Sequence, residues 1–207
     1  MFFQNEILEQ KVFYVIRNQN YNIAQQICEM LINLEVTCLE LTFTIPNVAS
    51  LIKVLRKKYP SILIGAGTVL TLAEAIQGAA AGAQFLVSPI FNQSISDFCH
   101  AQGLLYIPGA MTLQEVTNIV NANWEIIKIF PATAFKLNFI QTVRTFFPTK
   151  RYMASGGINL INLKEAKILG YDLIAVGTFV TGDIKNKILD QEKIKTIINT
   201  IKQEGEL

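Results

Sequence analysis

Short β-rich segments recur along this chain at a nearly constant spacing. Eight of them begin about 20 to 26 residues apart, which is the combined length of a strand, a turn and a helix. These predicted strands begin near Lys11, Val36, Ser61, Gln84, Leu104, Glu125, Arg151 and Asp172. Eight βα units in one short chain predict an α/β protein with a closed (βα)8 TIM barrel.

The connections between the predicted strands carry no linker long enough to divide two domains. Proline, glycine and asparagine cluster in them, for example at Pro108-Gly109. We therefore expect a single barrel domain over residues 1–207, with an open doubly wound sheet as the alternative. A short N-terminal helix over residues 2–10 is expected to close the barrel floor, and residues 193–202 to form a final amphipathic helix.

The composition argues against several functional classes. A net charge of +2 with interspersed signs provides no basic surface for nucleic acid or membrane, so we expect a small-molecule partner. The N-terminus does not resemble a signal peptide and no apolar segment has the length of a membrane span, which predicts a cytoplasmic protein. Three widely spaced cysteines suit reduced thiols. Because His100 is the only histidine, we expect no metal and no other cofactor.

A lysine lies within one of the most apolar segments of the chain. Lys128 is surrounded by isoleucine and phenylalanine, and a buried ammonium group either pairs with a carboxylate or loses its proton to become a nucleophile. In the second predicted strand, alternation places Glu40, Thr42 and Thr44 on one face. If that face is the barrel interior, Glu40 and Lys128 lie close together, either as a plain ion pair or as a catalytic pair.

Glycine turns follow two neighbouring predicted strands. Ser155-Gly156-Gly157 follows the seventh strand and Gly177-Thr178 follows the eighth. In phosphate-binding barrels these strand ends hold the ligand dianion through backbone N–H groups and a hydroxyl donor, so we predict a phosphate site here. Gly65-Ala66-Gly67-Thr68 lacks the residues of a dinucleotide-binding or P-loop motif. Its amides and the Thr68 hydroxyl could instead hold a substrate carboxylate.

Over essentially its whole length the sequence resembles the 2-keto-3-deoxy-6-phosphogluconate (KDPG) and 2-keto-4-hydroxyglutarate (KHG) aldolases, a class I (Schiff-base) family. The segments that carry the resemblance are Val15-Ile16-Arg17, Leu39-Glu40-Leu41-Thr42-Phe43-Thr44-Ile45-Pro46, Gly65-Ala66-Gly67-Thr68-Val69, Val87-Ser88-Pro89, Pro108-Gly109-Ala110-Met111-Thr112, Lys128-Ile129-Phe130-Pro131 and Ser155-Gly156-Gly157. The resemblance implies a homotrimeric barrel lyase of carbohydrate metabolism, as in the Entner-Doudoroff pathway. The products would be pyruvate and an aldehyde, glyceraldehyde 3-phosphate from KDPG.

The resemblance also implies roles for individual residues. Lys128 would form the Schiff base and Glu40 would act as the acid and base. Arg17 and Thr68 would hold the substrate carboxylate, and Phe130 would pack beside the bound substrate. The residues implied for the phosphate group are Ser155, Gly156, Gly157, Gly177 and Thr178.

Two departures from the family pattern leave the substrate open. Thr44 stands where many relatives carry a carboxylate-binding arginine, and Lys136-Leu137 replaces a frequent Gly-Pro. The second change could reshape the pocket or bring a cation toward the substrate. Alternatives are an isomerase or synthase of phosphorylated sugars that uses Glu40 as a base, a non-catalytic phosphate-binding descendant, and a metal-dependent aldolase.

Overall fold

A parallel β barrel surrounded by helices forms the protein in the computed structural model, which describes residues 4–134, 136–181 and 191–205. The strands are β1 (Val12–Ile16), β2 (Cys38–Thr42), β3 (Leu63–Gly67), β4 (Phe85–Val87), β5 (Leu105–Ile107), β6 (Gly109–Ala110), β7 (Ile126–Ile129), β8 (Arg151–Ser155) and β9 (Leu173–Val176). The helices are α1 (Gln4–Glu9), α2 (Tyr21–Asn33), α3 (Val48–Lys58), α4 (Leu72–Ala80), α5 (Gln93–Gln102), α6 (Leu113–Asn121), α7 (Phe139–Phe146), α8 (Leu163–Ile168), α9 (Thr178–Thr181) and α10 (Gln191–Gly205).

The strands close into a barrel because the two edge strands of the sheet, β5 and β6, belong to one continuous chain segment. The strand order is β5-β4-β3-β2-β1-β9-β8-β7-β6, with every pair parallel. β5 and β6 are one barrel strand interrupted at Pro108, which has no N–H to donate, although its carbonyl accepts from Lys128 N at 2.9 Å. The (βα)8 prediction is confirmed and the open sheet is wrong. Each predicted strand start lies within two residues of the observed one.

One sequence interpretation needs correction at this interruption. Pro108-Gly109 was expected to be a connection, but Gly109 begins β6 and pairs with Lys128. A β-carbon at Gly109 would lie 2.8 Å from the carbonyl oxygen of Ser88. Glycine is therefore required here because two backbone segments approach each other closely, and not because the chain turns.

The barrel interior and the helix layer form separate apolar clusters. The interior cluster includes Phe13, Cys38, Leu63 and Phe85, and Ile7 of α1 belongs to it with no exposed surface. This packing confirms that the N-terminal helix covers the barrel floor; the first three residues of the chain lie outside the described residues. The final helix is also confirmed as α10, whose buried side chains are Ile194, Ile197, Ile198 and Ile201.

Helix starts follow directly from capping residues placed just after strand ends. Thr71 and Thr112 cap α4 and α6 in capping boxes with Glu74 and Glu115, so that two orphan backbone donors are satisfied at each end. These short βα connections hold the strand ends, and therefore the site, on a rigid frame. Within the described residues, no helix combines the length and apolarity that crossing a membrane would require.

Candidate active site

Lys128 and Glu40 lie side by side in the barrel interior. Lys128 on β7 is 4% exposed and Glu40 on β2 is 1% exposed. Their Nζ and Oε1 atoms are 3.9 Å apart, which is an ion-pair distance and too long for a hydrogen bond. Neither carboxylate oxygen has a hydrogen-bond partner among the described residues. The carboxylate therefore has unused hydrogen-bond-accepting capacity in a buried environment.

The surroundings of Lys128 favour its neutral amine. Burial is the largest effect and lowers the pKa of the ammonium group below its usual range. The negative charge of Glu40 opposes this shift, whereas the positive charge of Arg17 lowers the pKa further. The result is an amine that is easier to deprotonate near neutral pH than an exposed lysine, as a nucleophilic lysine requires.

Arg17 and Thr68, the predicted carboxylate-binding residues, lie together at the barrel mouth. Arg17 follows β1 and donates from Nη2 to Thr68 Oγ1 at 3.2 Å. Thr68 follows β3 with a left-handed φ of 55°. Among the residues that the structure describes, no carboxylate oxygen lies within 4.0 Å of the guanidinium. The guanidinium can therefore bind an external carboxylate.

A cavity of about 550 Å³ opens at the carboxyl ends of the strands. It is lined by Val15, Arg17, Phe130, Ser155, Gly156, Gly157, Ile158, Asn159, Ala175, Gly177 and Thr178. All five residues predicted to hold a phosphate group are in this lining, together with Arg17 and Phe130. Lys128, Glu40 and Thr68 are not, but the Phe130 ring, whose centroid is 5.1 Å from Lys128 Nζ, connects the cavity with the buried amine.

The glycine turn in this cavity is held by side chains that the sequence interpretation did not include. Gly156 and Gly157 have φ values of 85° and 79°. Asn162 donates from Nδ2 to the Gly157 carbonyl at 2.9 Å, and its Oδ1 accepts from Asn159 N at 2.8 Å. The side-chain amide of Asn162 thus links Gly157 to Asn159 in the same loop. The sequence shows only that two asparagines, three residues apart, follow Gly-Gly, and this spacing does not by itself predict the bonds.

The two departures from the family pattern do not bring a new cation to the cavity. Lys136 is exposed and does not line the cavity, and its φ of 69° explains why glycine is common there. Leu137 is buried in the core. Thr44 is exposed, with its hydroxyl 2.6 Å from that of Thr42, which in turn bonds to the Ile16 carbonyl.

The adjacent residues Cys99 and His100 do not line the cavity and pack elsewhere in the fold. Cys99 is buried, which raises the pKa of its thiol to about 12, so the thiol stays protonated. The His100 ring stacks on Trp124 with centroids 4.1 Å apart, and its Nε2 lies 2.9 Å from the Ala122 carbonyl oxygen. In the described ranges, no group of three or more His, Cys, Asp or Glu side chains could hold a metal ion.

A closed parallel barrel with a cavity at the carboxyl ends of its strands, and with a buried lysine and carboxylate nearby, is typical of the TIM-barrel enzymes. Within that class, the chain belongs to the KDPG and KHG aldolase family, whose model matches residues 3–199. The enzyme is therefore a lyase, and the family resemblance noted in the sequence is confirmed.

Individual relatives agree with this assignment. The chain is 33% identical over 162 residues, 77% of both proteins, to 2-dehydro-3-deoxy-phosphogluconate aldolase of Treponema pallidum. It is 27% identical over 161 residues, 77% of this chain and 76% of the relative, to the Haemophilus influenzae protein of that name. A solved KDPG aldolase from Legionella pneumophila, with pyruvate captured as a covalent carbinolamine, superposes with a TM-score of 0.82 at 26% identity, covering 91% of this chain and 92% of that one.

Proposed function

We propose that this protein is a class I aldolase that cleaves KDPG, or a close 2-keto-4-hydroxy acid such as 4-hydroxy-2-oxoglutarate, to pyruvate and an aldehyde. The observation that carries the proposal is the buried Lys128, whose pKa is lowered. It lies 3.9 Å from a carboxylate that makes no hydrogen bond to the described residues. With KDPG the aldehyde is glyceraldehyde 3-phosphate. Residues 1–207 are proposed to form one catalytic barrel domain.

Lys128 supplies the electrophile that makes carbon-carbon cleavage possible. Its neutral Nζ attacks the C2 ketone to form a carbinolamine, which loses water to give an iminium. Glu40 holds the proton that Lys128 loses on becoming neutral and donates it to the departing hydroxyl, which leaves as water. The carboxylate that results then accepts the proton of the C4 hydroxyl. The C3–C4 electron pair moves into the iminium as the bond breaks and the aldehyde forms. Reprotonation at C3 and hydrolysis release pyruvate and the free amine.

The remaining residues bind the two ends of the substrate. Arg17 and Thr68 are proposed to hold the carboxylate next to the reacting ketone, with Phe130 beside the carbon chain. The phosphate group is proposed to lie on the backbone of Gly156, Gly157 and Gly177, with hydroxyl groups of Ser155 and Thr178 as further donors. The support is that these five residues line one cavity and that Gly156 and Gly157 have positive φ values, a backbone conformation found in anion-binding turns.

Covalent catalysis by Lys128 is also supported by a relative. The Legionella pneumophila protein holds pyruvate as a covalent carbinolamine, the intermediate that precedes an iminium. We further propose the metabolic place of the family, carbohydrate breakdown of the Entner-Doudoroff type, and a cytoplasmic location. Three free, buried cysteines support the second point, because a reducing compartment keeps thiols unpaired.

A homotrimer is proposed from the family and from one exposed apolar surface. Leu70, Leu72, Ile76 and Ile90 are exposed on or next to α4 and α5. Asn92 Nδ2 donates to the Leu70 carbonyl at 3.3 Å and so holds the two loops together. Clustered apolar side chains of this kind usually mark a protein interface. Sedimentation equilibrium measures the assembly, and a monomer at micromolar concentration would contradict the proposal.

Borohydride trapping tests the catalytic role of Lys128. The protein is reduced with borohydride in the presence of pyruvate, digested, and analysed by mass spectrometry. We expect a pyruvate adduct on the peptide that contains Lys128, none in Lys128→Ala, and an unchanged yield in Lys136→Ala, an exposed lysine of the following loop. An adduct on another lysine, or an active Lys128→Ala enzyme, would refute this assignment.

A coupled assay with lactate dehydrogenase measures pyruvate from 2-keto-3-deoxy acids with and without a phosphate group. We expect turnover of the phosphorylated acids and weaker turnover of the others. Turnover without a trapped imine would favour a mechanism in which Glu40 acts as a base alone. Binding of phosphate esters without pyruvate at any pH would favour a non-catalytic protein.

A further inference from the structure

Two glycines on β3 face the barrel interior, and each gives space to a different neighbour. A β-carbon at Gly65 would lie 2.5 Å from Cζ of Phe85. A β-carbon at Gly67 would lie 2.5 Å from Cγ and 2.6 Å from Cδ of Glu40, and closer still to Oε1. Such distances are too short for real carbon contacts. The first glycine therefore accommodates a core ring, and the second accommodates the carboxylate beside Lys128.

The backbone of Gly67 does not itself require glycine. Gly67 pairs in register with Thr42 on β2, and it is not among the glycines with positive φ. An alanine would fit this extended conformation. The three atoms nearest to an added β-carbon all belong to the Glu40 side chain. What excludes a side chain at this position is therefore the catalytic carboxylate.

The position of the Glu40 carboxylate depends on packing. Neither oxygen makes a hydrogen bond to a described residue, and the ion pair to Lys128 is 3.9 Å long. Ion pairs of that length restrain direction weakly. We propose that Gly67 is a positioning residue for Glu40, because the space left by its missing side chain determines where the carboxylate lies. This inference rests on the proposed aldol cleavage.

Gly67→Ala tests the proposal kinetically. A displacement of about 1 Å in a catalytic group can cost about 100-fold in rate, so we expect kcat to fall by about that factor. The KM for the phosphorylated acid should stay within about 3-fold, because the phosphate and carboxylate sites keep their residues. The control is Gly78→Ala, whose β-carbon would lie 3.1 Å from Cβ of Ala66 on the outer face of the same strand. It should keep activity within about 2-fold.

A thermal-stability cycle tests the same contact without activity. We expect Gly67→Ala to lower Tm when Glu40 is present and to have no such effect in the Glu40→Ala background, where the overlapping atoms are gone. If Gly67→Ala does not fold, recovery of folding in the double variant supports the proposal. Equal losses in both backgrounds, two unfolded variants, or a fully active Gly67→Ala would overturn it. A wild-type protein that cleaves no keto acid would refute the proposed function, while the cycle would still decide the role of Gly67.

Discussion

Removal of Lys128 should destabilise the barrel far more than removal of both members of the buried pair. In Lys128→Met the Glu40 carboxyl group stays inside the barrel, without a counter-ion and without a hydrogen bond to the described residues. In Lys128→Met/Glu40→Leu both charges are replaced by apolar groups of similar volume. The comparison separates the interaction within the pair from the cost of burying it.

The magnitude follows from the geometry. At 3.9 Å, with an effective dielectric constant of about 20, two unit charges attract by about 4 kcal/mol. Removing one partner of a buried pair typically costs about 3 to 5 kcal/mol, and we expect Lys128→Met to lose that amount of unfolding free energy. The double variant should be within about 1 kcal/mol of the wild type or more stable, because two desolvation costs disappear with the attraction.

Glu40→Leu should lower the unfolding free energy less than Lys128→Met does, and the loss should depend on pH. Burial lowers the pKa of Lys128 in the folded protein below the ordinary value of 10.5. At pH values between the folded-state pKa and 10.5, the unfolded chain therefore binds more protons than the folded one. Stability then rises with pH in that window. Loss of the Glu40 charge lowers the pKa of Lys128 further and widens the window toward lower pH.

Urea denaturation of the four proteins at several pH values measures these free energies. The matched control is Lys53→Met, which removes an exposed lysine from α3 and should change stability by less than about 0.5 kcal/mol. A Lys128→Met protein as stable as the wild type would refute the reasoning. So would a double variant that loses as much stability as Lys128→Met.

Further predictions concern the pH profile, the phosphate loop and the backbone. Arg17→Met should raise the pKa of Lys128, since the Arg17 charge lowers it. Borohydride trapping at saturating pyruvate should therefore require higher pH. An unchanged pH dependence of trapping would contradict this. Asn162→Ala removes two hydrogen bonds from the Gly157 turn and should raise KM for phosphorylated acids about 10-fold. The kcat/KM for 4-hydroxy-2-oxoglutarate, which has no phosphate group, should be unchanged. Equal losses on both substrates would argue against a phosphate role. Lys136→Gly should raise the unfolding free energy measured in urea by about 0.5 to 1 kcal/mol, because it relieves a left-handed φ of 69°. It should leave activity unchanged. A destabilised variant would contradict the strain argument.

The barrel could be predicted from the sequence because its repeat is local. Strand and helix alternate at a spacing that any window of the chain reveals, and the inward face of β2 follows from simple alternation. The break at Pro108 could not be predicted in this way. It depends on the backbone near Ser88 approaching Gly109, which is a contact between the ends of two neighbouring barrel strands and not a feature of either segment alone.

The site was predictable to the extent that its residues carry unusual chemistry for their surroundings. Lys128 and Glu40 stand out as charges in apolar strands, and their proximity follows from both facing inward. Gly67 and Asn162 carry no such signal. The purpose of Gly67 is visible only when the neighbouring strand places a side chain over it, and that of Asn162 only when its loop has folded back. Residues that support a site through another residue are therefore harder to identify from sequence.

The covering of the barrel floor by α1, whose Ile7 is buried there, has a kinetic consequence for the proposed cleavage. With that end covered, we expect the substrate to reach Lys128 from the cavity at the carboxyl ends of the strands, where the phosphate group is proposed to lie. In the proposed mechanism the aldehyde departs first, and pyruvate follows once hydrolysis frees it from Lys128. In the direction of condensation, pyruvate must therefore bind before the aldehyde, and in cleavage it should inhibit competitively against the keto acid.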